Sequence, residues 1–298
     1  MVDHSSPPRP PLSTASLIAR LAGIGAVVAV VAGAFAYVNG TLDPQRLRPK
    51  TLVNALETNN GVHPGFRRNH AKGVCVAGYF QSSSEARAHS SAQVFSEAKT
   101  PIIGRFALPS GNPYAPDSSV PIRSFAVQFS QANGQQWRTG MNSMPVFPVG
   151  TPEAFYQLLK AGAPDPATGK PNPSSMPAFF AAHPETAPFL AWVKTAKPSA
   201  SYATETYNGI NAFYLVAADG TRQAVRWEVV PQSQDAAGDT APAGSDFLEQ
   251  DLVRRLAAGP LRWQLNMTLA NPGDPLDDAS KTWTGTHKVL NAGTLVPV

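Results

Sequence analysis

From Leu21 to Val38 the chain is apolar and uncharged without a break. A membrane-spanning helix needs about 20 apolar residues, so this run is just long enough. Arg9 and Arg20 precede it, which favours an inside N-terminus and an exported remainder. Ala34-Phe35-Ala36 also fits a small-residue signal-cleavage site, so a retained anchor and a cleaved signal both stay open. Beyond Val38 the apolar runs shorten. Pro44 to Asn59, with Leu47, Leu52, Val53 and Leu56, predicts a short helix; Val74 to Phe80 predicts a strand, and Ser83 to Ser96 a small polar helix. Alternation over Phe125–Phe129, a turn at Asn133-Gly134 and a return through Gln136–Thr139 predict a hairpin. A second runs from Ala212–Val216 through Asp219-Gly220 to Val225–Val229. Asn-Gly and Asp-Gly supply the positive φ that tight hairpin turns require. Thr151-Pro152 is an N-cap and first-turn pair for a helix over Glu153–Ala161. Phe179 to Ala196 predicts a helix interrupted near Pro184 and Pro188, and Asp246-x-x-Glu249 has the form of a capping box for a helix stopping at Gly259-Pro260. Residues 163–175 and 232–244 predict loops, and the Pro/Ser-rich residues 1–12 predict disorder. No internal repeat occurs. The order of elements predicts an α+β domain around an antiparallel sheet or barrel.

Composition narrows the class further. The chain has 298 residues, 43% of them hydrophobic, enough for one sizeable core or two modest ones. Only 15% are charged, while 29 Pro and 23 Gly point to turns and long connections. The net charge of +4 is spread along the chain with no basic run, which argues against nucleic-acid binding. Cys75 is the sole cysteine, so no disulfide forms within the chain; its apolar setting, Val74 to Ala77, predicts a small buried hydrophobe. No GxSxG elbow, HExxH pair, Walker loop or GxGxxG fingerprint is present. Among the histidines, His4 falls in the leader, His63 precedes Pro64 in a turn, His89 and His183 sit in polar stretches that predict solvent-facing side chains, and His287 lies near the C-terminus. His70 differs. Arg67-Arg68-Asn69-His70-Ala71-Lys72-Gly73 runs straight into an apolar strand, which puts basic groups at the mouth of a buried element or forms a surface cluster before it.

The segment Arg67-x-x-His70-Ala71-Lys72-Gly73-x-x-x-x-Gly78-Tyr79-Phe80 resembles the distal-histidine motif of haem catalases. Thr100-Pro101-Ile102-Ile103-Gly104-Arg105-Phe106, then Arg123-Ser124-Phe125-Ala126-Val127-x-Phe129, then Met141-Asn142-Ser143-Met144-Pro145-Val146-Phe147 follow in the order of successive catalase segments. Thr204-x-Thr206-Tyr207-Asn208-Gly209-x-Asn211-Ala212-Phe213 and Val225-Arg226-Trp227 are similar to the small catalase-related peroxidases, which often carry an N-terminal membrane segment. The resemblance implies a catalase-like antiparallel β-barrel with surrounding helices over residues 44–298, preceded by a basic disordered leader (1–20) and one transmembrane helix or signal anchor (21–38).

It also implies a haem b cofactor with its iron, hydrogen peroxide as substrate, small organic reductants, protection against oxidative stress, and a place on the periplasmic side of a bacterial envelope. His70 is then the general base and acid of O–O cleavage and Asn142 orients peroxide. Arg67 and Arg105 pair with haem propionates, since guanidinium forks suit carboxylates, and Phe147 and Phe155 line the haem face and distal pocket. Two departures stand out. A serine that the family places two residues after the Arg105 position is Ala107 here, which favours slower peroxidase chemistry over catalase turnover. The family's iron ligand, a tyrosinate in an Arg-x-x-x-Tyr motif, has no counterpart before Val298: no tyrosine here follows an arginine by four residues. The metal ligand is therefore unassigned, with His287 as a conceivable surrogate, and weak haem binding is expected. Two other readings are a non-catalytic barrel holding haem or another small ligand in the envelope, and a truncated relic.

Overall fold

A computed structural model of the chain describes residues 13–43, 46–197, 199–232 and 244–298. They fall into two compact units, up to Arg48 and from Pro49 onward. The leader 1–12, with His4, and most of the loop 232–244 lie outside the described residues.

The first unit is one helix, α1 (Thr14–Val38), capped by the Ser13 hydroxyl, which accepts from the amide of Ser16. It starts ahead of Leu21, so Arg20 lies within it. At about 1.5 Å per residue its 25 residues are long enough to cross a membrane; its mean hydropathy reaches 2.2 and no part of it is buried.

In the second unit α2 (Pro49–Asn60) precedes β1 (Gly73–Ser82), α3 (Ser84–Arg87) and β2 (Thr100–Ala107). The hairpin β3 (Ser124–Ser130) and β4 (Gln136–Asn142) leads to α4 (Pro152–Ala161), α5 (Ser175–Ala182) and α6 (Ala187–Thr195). Then come the hairpin β5 (Tyr207–Val216) and β6 (Arg222–Pro231), α7 (Phe247–Ala258), β7 (Trp263–Leu269) and β8 (Val289–Pro297). The eight strands close an antiparallel barrel in sequence order, with β1 completing the ring against β8. Both hairpins turn where glycine permits it, at Gly134 (φ 83°) and Gly220 (φ 85°).

The barrel interior is aromatic. Phe106 and Phe125 stack with centroids 4.1 Å apart, and Tyr202, Tyr207 and Trp263 close around Phe106. The polar atoms carried into this core are satisfied: Tyr207 donates to the Tyr202 carbonyl (2.7 Å) and the Trp263 indole to the Glu205 carbonyl (3.1 Å). Such satisfaction is what makes burying tyrosine and tryptophan favourable. A smaller apolar cluster of Val149, Ala154 and Phe179 joins α4 to α5.

Several expectations change. The helix expected from Pro44 starts at Pro49, and the one over Ser83–Ser96 reduces to α3 and a 3-10 turn at Gln93–Phe95. The capping box at Asp246 does not form, because the Asp246 carboxylate is drawn to Lys72 Nζ (2.8 Å); Asp117 reaches across to accept from the Leu248 amide instead (2.8 Å). Cys75 is exposed, since strand alternation turns it outward between buried Val76 and half-buried Val74. His183 is not solvent-facing: it stacks on Phe179 (4.2 Å) and bonds Glu185 and Gln157 through its two ring nitrogens.

Candidate active site

His70 ends the basic segment just before β1 and is the only non-glycine among the described residues with a positive φ, 53°. That left-handed conformation is disfavoured for a residue with a Cβ and persists only where the surroundings impose it. Here they do. The Asn69 side chain accepts from the His70 amide (3.0 Å), and the Arg105 guanidinium donates to the His70 carbonyl (2.8 Å) and the Ala71 carbonyl (3.1 Å). The turned backbone puts the imidazole into a cavity of about 300 Å³ that Asn142 also lines. Burial first, then the charges of Arg105 and Arg67, hold the His70 pKa below its ordinary 6.5, so the ring is neutral at pH 7.

Strand register explains what surrounds it. β1 to β4 bring Gly73, Ala107, Ser124 and Asn142 into one row across the sheet and Cys75, Arg105, Ala126 and Gly140 into the next. Alternation turns both rows away from the aromatic interior. A second cavity, about 620 Å³, continues the first along this face and shares Arg67, Arg105, Ala126 and Gly140 with it. The result is a shallow groove with a floor of small side chains. Its lining comes wholly from residues 67–70 and β1–β4.

Asn142 is oriented by a residue the sequence did not single out. The Ser124 hydroxyl donates to its Oδ1 at 2.6 Å, and Asn208 donates to its backbone carbonyl (3.3 Å). With its oxygen engaged, the carboxamide has its N–H2 free to donate. Ser124 stands opposite Ala107 in the register, so a hydroxyl lies beside the position where the resembled family carries its serine. Only the strand pairing reveals this.

The groove fits one face of a flat, apolar dicarboxylate such as haem. A Cβ placed on Gly140 would meet nothing within 4 Å, so the floor is open there. Arg67 and Arg105 line the groove and no carboxylate pairs with either among the described residues. An axial iron ligand is a different matter. None of the seven tyrosines lines the groove, and Tyr202 and Tyr207 sit in the core, where burial pushes both phenols well above the tyrosine range. His287 is not a surrogate: its Nε2 is paired with Asp274 (2.9 Å), its Nδ1 faces the Gly285 carbonyl, and the ring stacks on Trp283. Phe147 and Phe155 are not brought to the cavity walls. They pack on each other (5.4 Å) in the smaller cluster, because α4 buries its apolar side against α5.

Comparison with known proteins shows the family and the fold. The family model described as Catalase matches residues 42–287. A catalase-related peroxidase of Synechococcus elongatus is 37% identical over 252 residues, covering 83% of this chain and 74% of that protein. One from Mycolicibacterium paratuberculosis is 32% identical, covering 84% and 79%. The solved structure of a bacterial catalase superposes with a TM-score of 0.70 at 19% identity, and a fungal catalase with 0.69 at 18%. Those matches cover 86% and 85% of this chain but 53% and 54% of the solved chains, so it spans about half their length. The chain belongs to the catalase family of oxidoreductases acting on hydrogen peroxide, among its small catalase-related peroxidases.

Proposed function

We propose that the chain is a haem-dependent peroxidase that cleaves hydrogen peroxide at the His70–Asn142 cavity and oxidises small organic donors, defending the envelope against oxidative stress. The observation that carries this is the convergence on one cavity of a neutral imidazole and an oriented carboxamide, the imidazole without a protein partner and the two arginines beside it without a carboxylate among the described residues. Arg67 and Arg105 hold the propionates of haem b, and the small residues of the groove floor admit its plane. Phe147 and Phe155 support the segment after Asn142 from outside the cavity walls. Bound haem supplies the redox centre that takes up the oxidising equivalents of peroxide. His70 accepts the proton of the attacking peroxide oxygen and returns it to the departing oxygen, which leaves as water; Asn142 donates to the peroxide and fixes its angle. Such a proton shuttle contributes about 10²–10⁴-fold.

α1 carries the chain to the membrane as anchor or signal, with the barrel on the periplasmic side; its length and unbroken apolar surface support this.

The test uses the full chain in detergent, loaded with haem. His70→Ala is expected to lower peroxide-dependent donor oxidation by about 10²-fold or more with the haem spectrum retained. Activity within threefold of the parent would refute the assignment. A second reading, a barrel that holds haem without turnover, draws on Ala107; it predicts no peroxide-dependent oxidation by the parent and unchanged haem affinity in His70→Ala.

A further inference from the structure

A second cavity of about 410 Å³ opens between β4 and β5. These neighbours share a single paired position, Asn142 with Asn208, and β5 shifts register between Gly209 and Phe213. Past that pair the strands part, and the wedge between them is lined by Trp137 on one side and by Phe213, Tyr214 and Trp227 on the other. Phe213 stacks on Trp227 (4.7 Å, 27°), and Trp137 meets Trp227 edge to face (5.3 Å). Phe213 and Tyr214 are half exposed, so the wedge opens to solvent. Flat aromatic walls with an open mouth suit an aromatic ring, stacked on one wall and edge-on to another.

Two further observations narrow the occupant and its role. Gln131 lines the wedge, is about nine-tenths buried, and its carboxamide oxygen has no hydrogen-bond partner among the described residues. A buried acceptor without a donor is costly, and a ligand O–H relieves it once the carboxamide rotates to bring that covered oxygen to the wedge. Trp227 forms the back of the wedge: its indole lies across β5 at Gly209, where a Cβ would sit 2.5 Å from Nε1, and donates to Thr139 Oγ1 (3.1 Å). Thr139 stands next to Gly140 on β4, the strand whose other face floors the groove. The Trp227–Thr139 bond therefore joins the back of the wedge to the strand that floors the groove.

We propose that the wedge binds a phenol, with its ring against Phe213 and Trp227 and its hydroxyl donating to Gln131, and that this phenol is the reductant of the peroxide reaction. The reductant role rests on the peroxidase reading above; the binding does not. Two phenols each give up one electron, through Trp227 and its Thr139 contact toward the groove, and each loses its hydroxyl proton to solvent as the oxidised ring leaves through the mouth. Those two electrons and two protons convert hydrogen peroxide to two waters and leave two phenoxyl radicals.

The probe is 2-methoxyphenol, titrated by ligand-observed NMR against the full chain in detergent without haem. Phe213→Ala and Gln131→Leu are each expected to weaken its Kd at least fivefold, and Ala92→Trp, which fills the wedge from an exposed position, to abolish binding, while His70→Ala binds as the parent does. Equal affinity in all variants, or a loss confined to His70→Ala, overturns the wedge site. The haem-loaded chains then separate the two readings. If the wedge variants oxidise 2-methoxyphenol with the parent's KM while His70→Ala is inactive, the wedge proposal fails and the peroxidase reading stands. If 2-methoxyphenol binds in the wedge and the parent does not oxidise it, the binding site stands and the peroxidase reading fails with the reductant role.

Discussion

β1, β2, β3 and β4 pair with one another over unbroken runs of register, from Gly73 opposite Ala107 to Ser130 opposite Gln136, whereas β4 and β5 meet at the single pair Asn142–Asn208. Continuous pairing lays small outward residues in rows and makes a broad, shallow face. The interrupted seam makes a narrow, aromatic-walled gap, which the indole of Trp227 closes at its back. In both regions a glycine decides the outcome for opposite reasons: Gly140 leaves space empty, and Gly209 yields space to a neighbour's ring.

That contrast is open to direct test. The largest effect is expected at the seam. Gly209→Val drives a side chain into the Trp227 ring and should destabilise the fold by about 1–3 kcal/mol, read by chemical denaturation; a loss below about 0.5 kcal/mol would mean that the seam has room to repack. Gly140→Leu should do the reverse, leaving stability within about 0.5 kcal/mol while weakening haem affinity about tenfold, roughly 1.4 kcal/mol, in a spectral titration; parent-like affinity would show that the porphyrin does not lie on this floor.

The smallest effect concerns protons. On the proposed reading the neutral form of His70 is the working base; burial together with Arg105 and Arg67 keeps its pKa below 6.5. Peroxidase rate should therefore fall as pH drops through that lowered value. Removing one positive neighbour raises the imidazole pKa, so Arg67→Gln should move the acid limb of the pH profile upward, toward 6.5; a limb moving down or staying fixed would count against His70 as its source. The same depression ties His70 to stability: its contribution is complete above pH 6.5 and is lost as pH falls toward the folded pKa.

Legibility in the sequence followed the range of the interactions concerned. The two hairpins were readable because Gly134 and Gly220 sit at turns that need positive φ, and Thr151 caps α4 as its local sequence predicts, accepting from the Ala154 amide. β7 alternates cleanly from Trp263 to Leu269, but the glycine turn after it, at Gly273, opens the long segment 270–288 rather than a tight hairpin to β8, so its partner was hidden. At Asp246 a distant ion pair with Lys72 overrode a correct-looking local cap. In the site, His70, Arg67, Arg105 and Asn142 were accessible through motif resemblance, and they line one groove. Ser124 and Ala126 fall in a resembling segment and Gly140 in none, and none of the three was given a place in the site, because small outward residues carry no signal until register makes them neighbours. Cys75 was misjudged for the same reason: an apolar run does not say which of its members faces out.

One guanidinium faces two ways. Arg105 pins the carbonyls of His70 and Ala71 and also borders the groove. On the proposed reading, an anion held there would also load the backbone that carries the imidazole, gearing cofactor capture to the aim of the proton shuttle. A substitution at this position would then retune both.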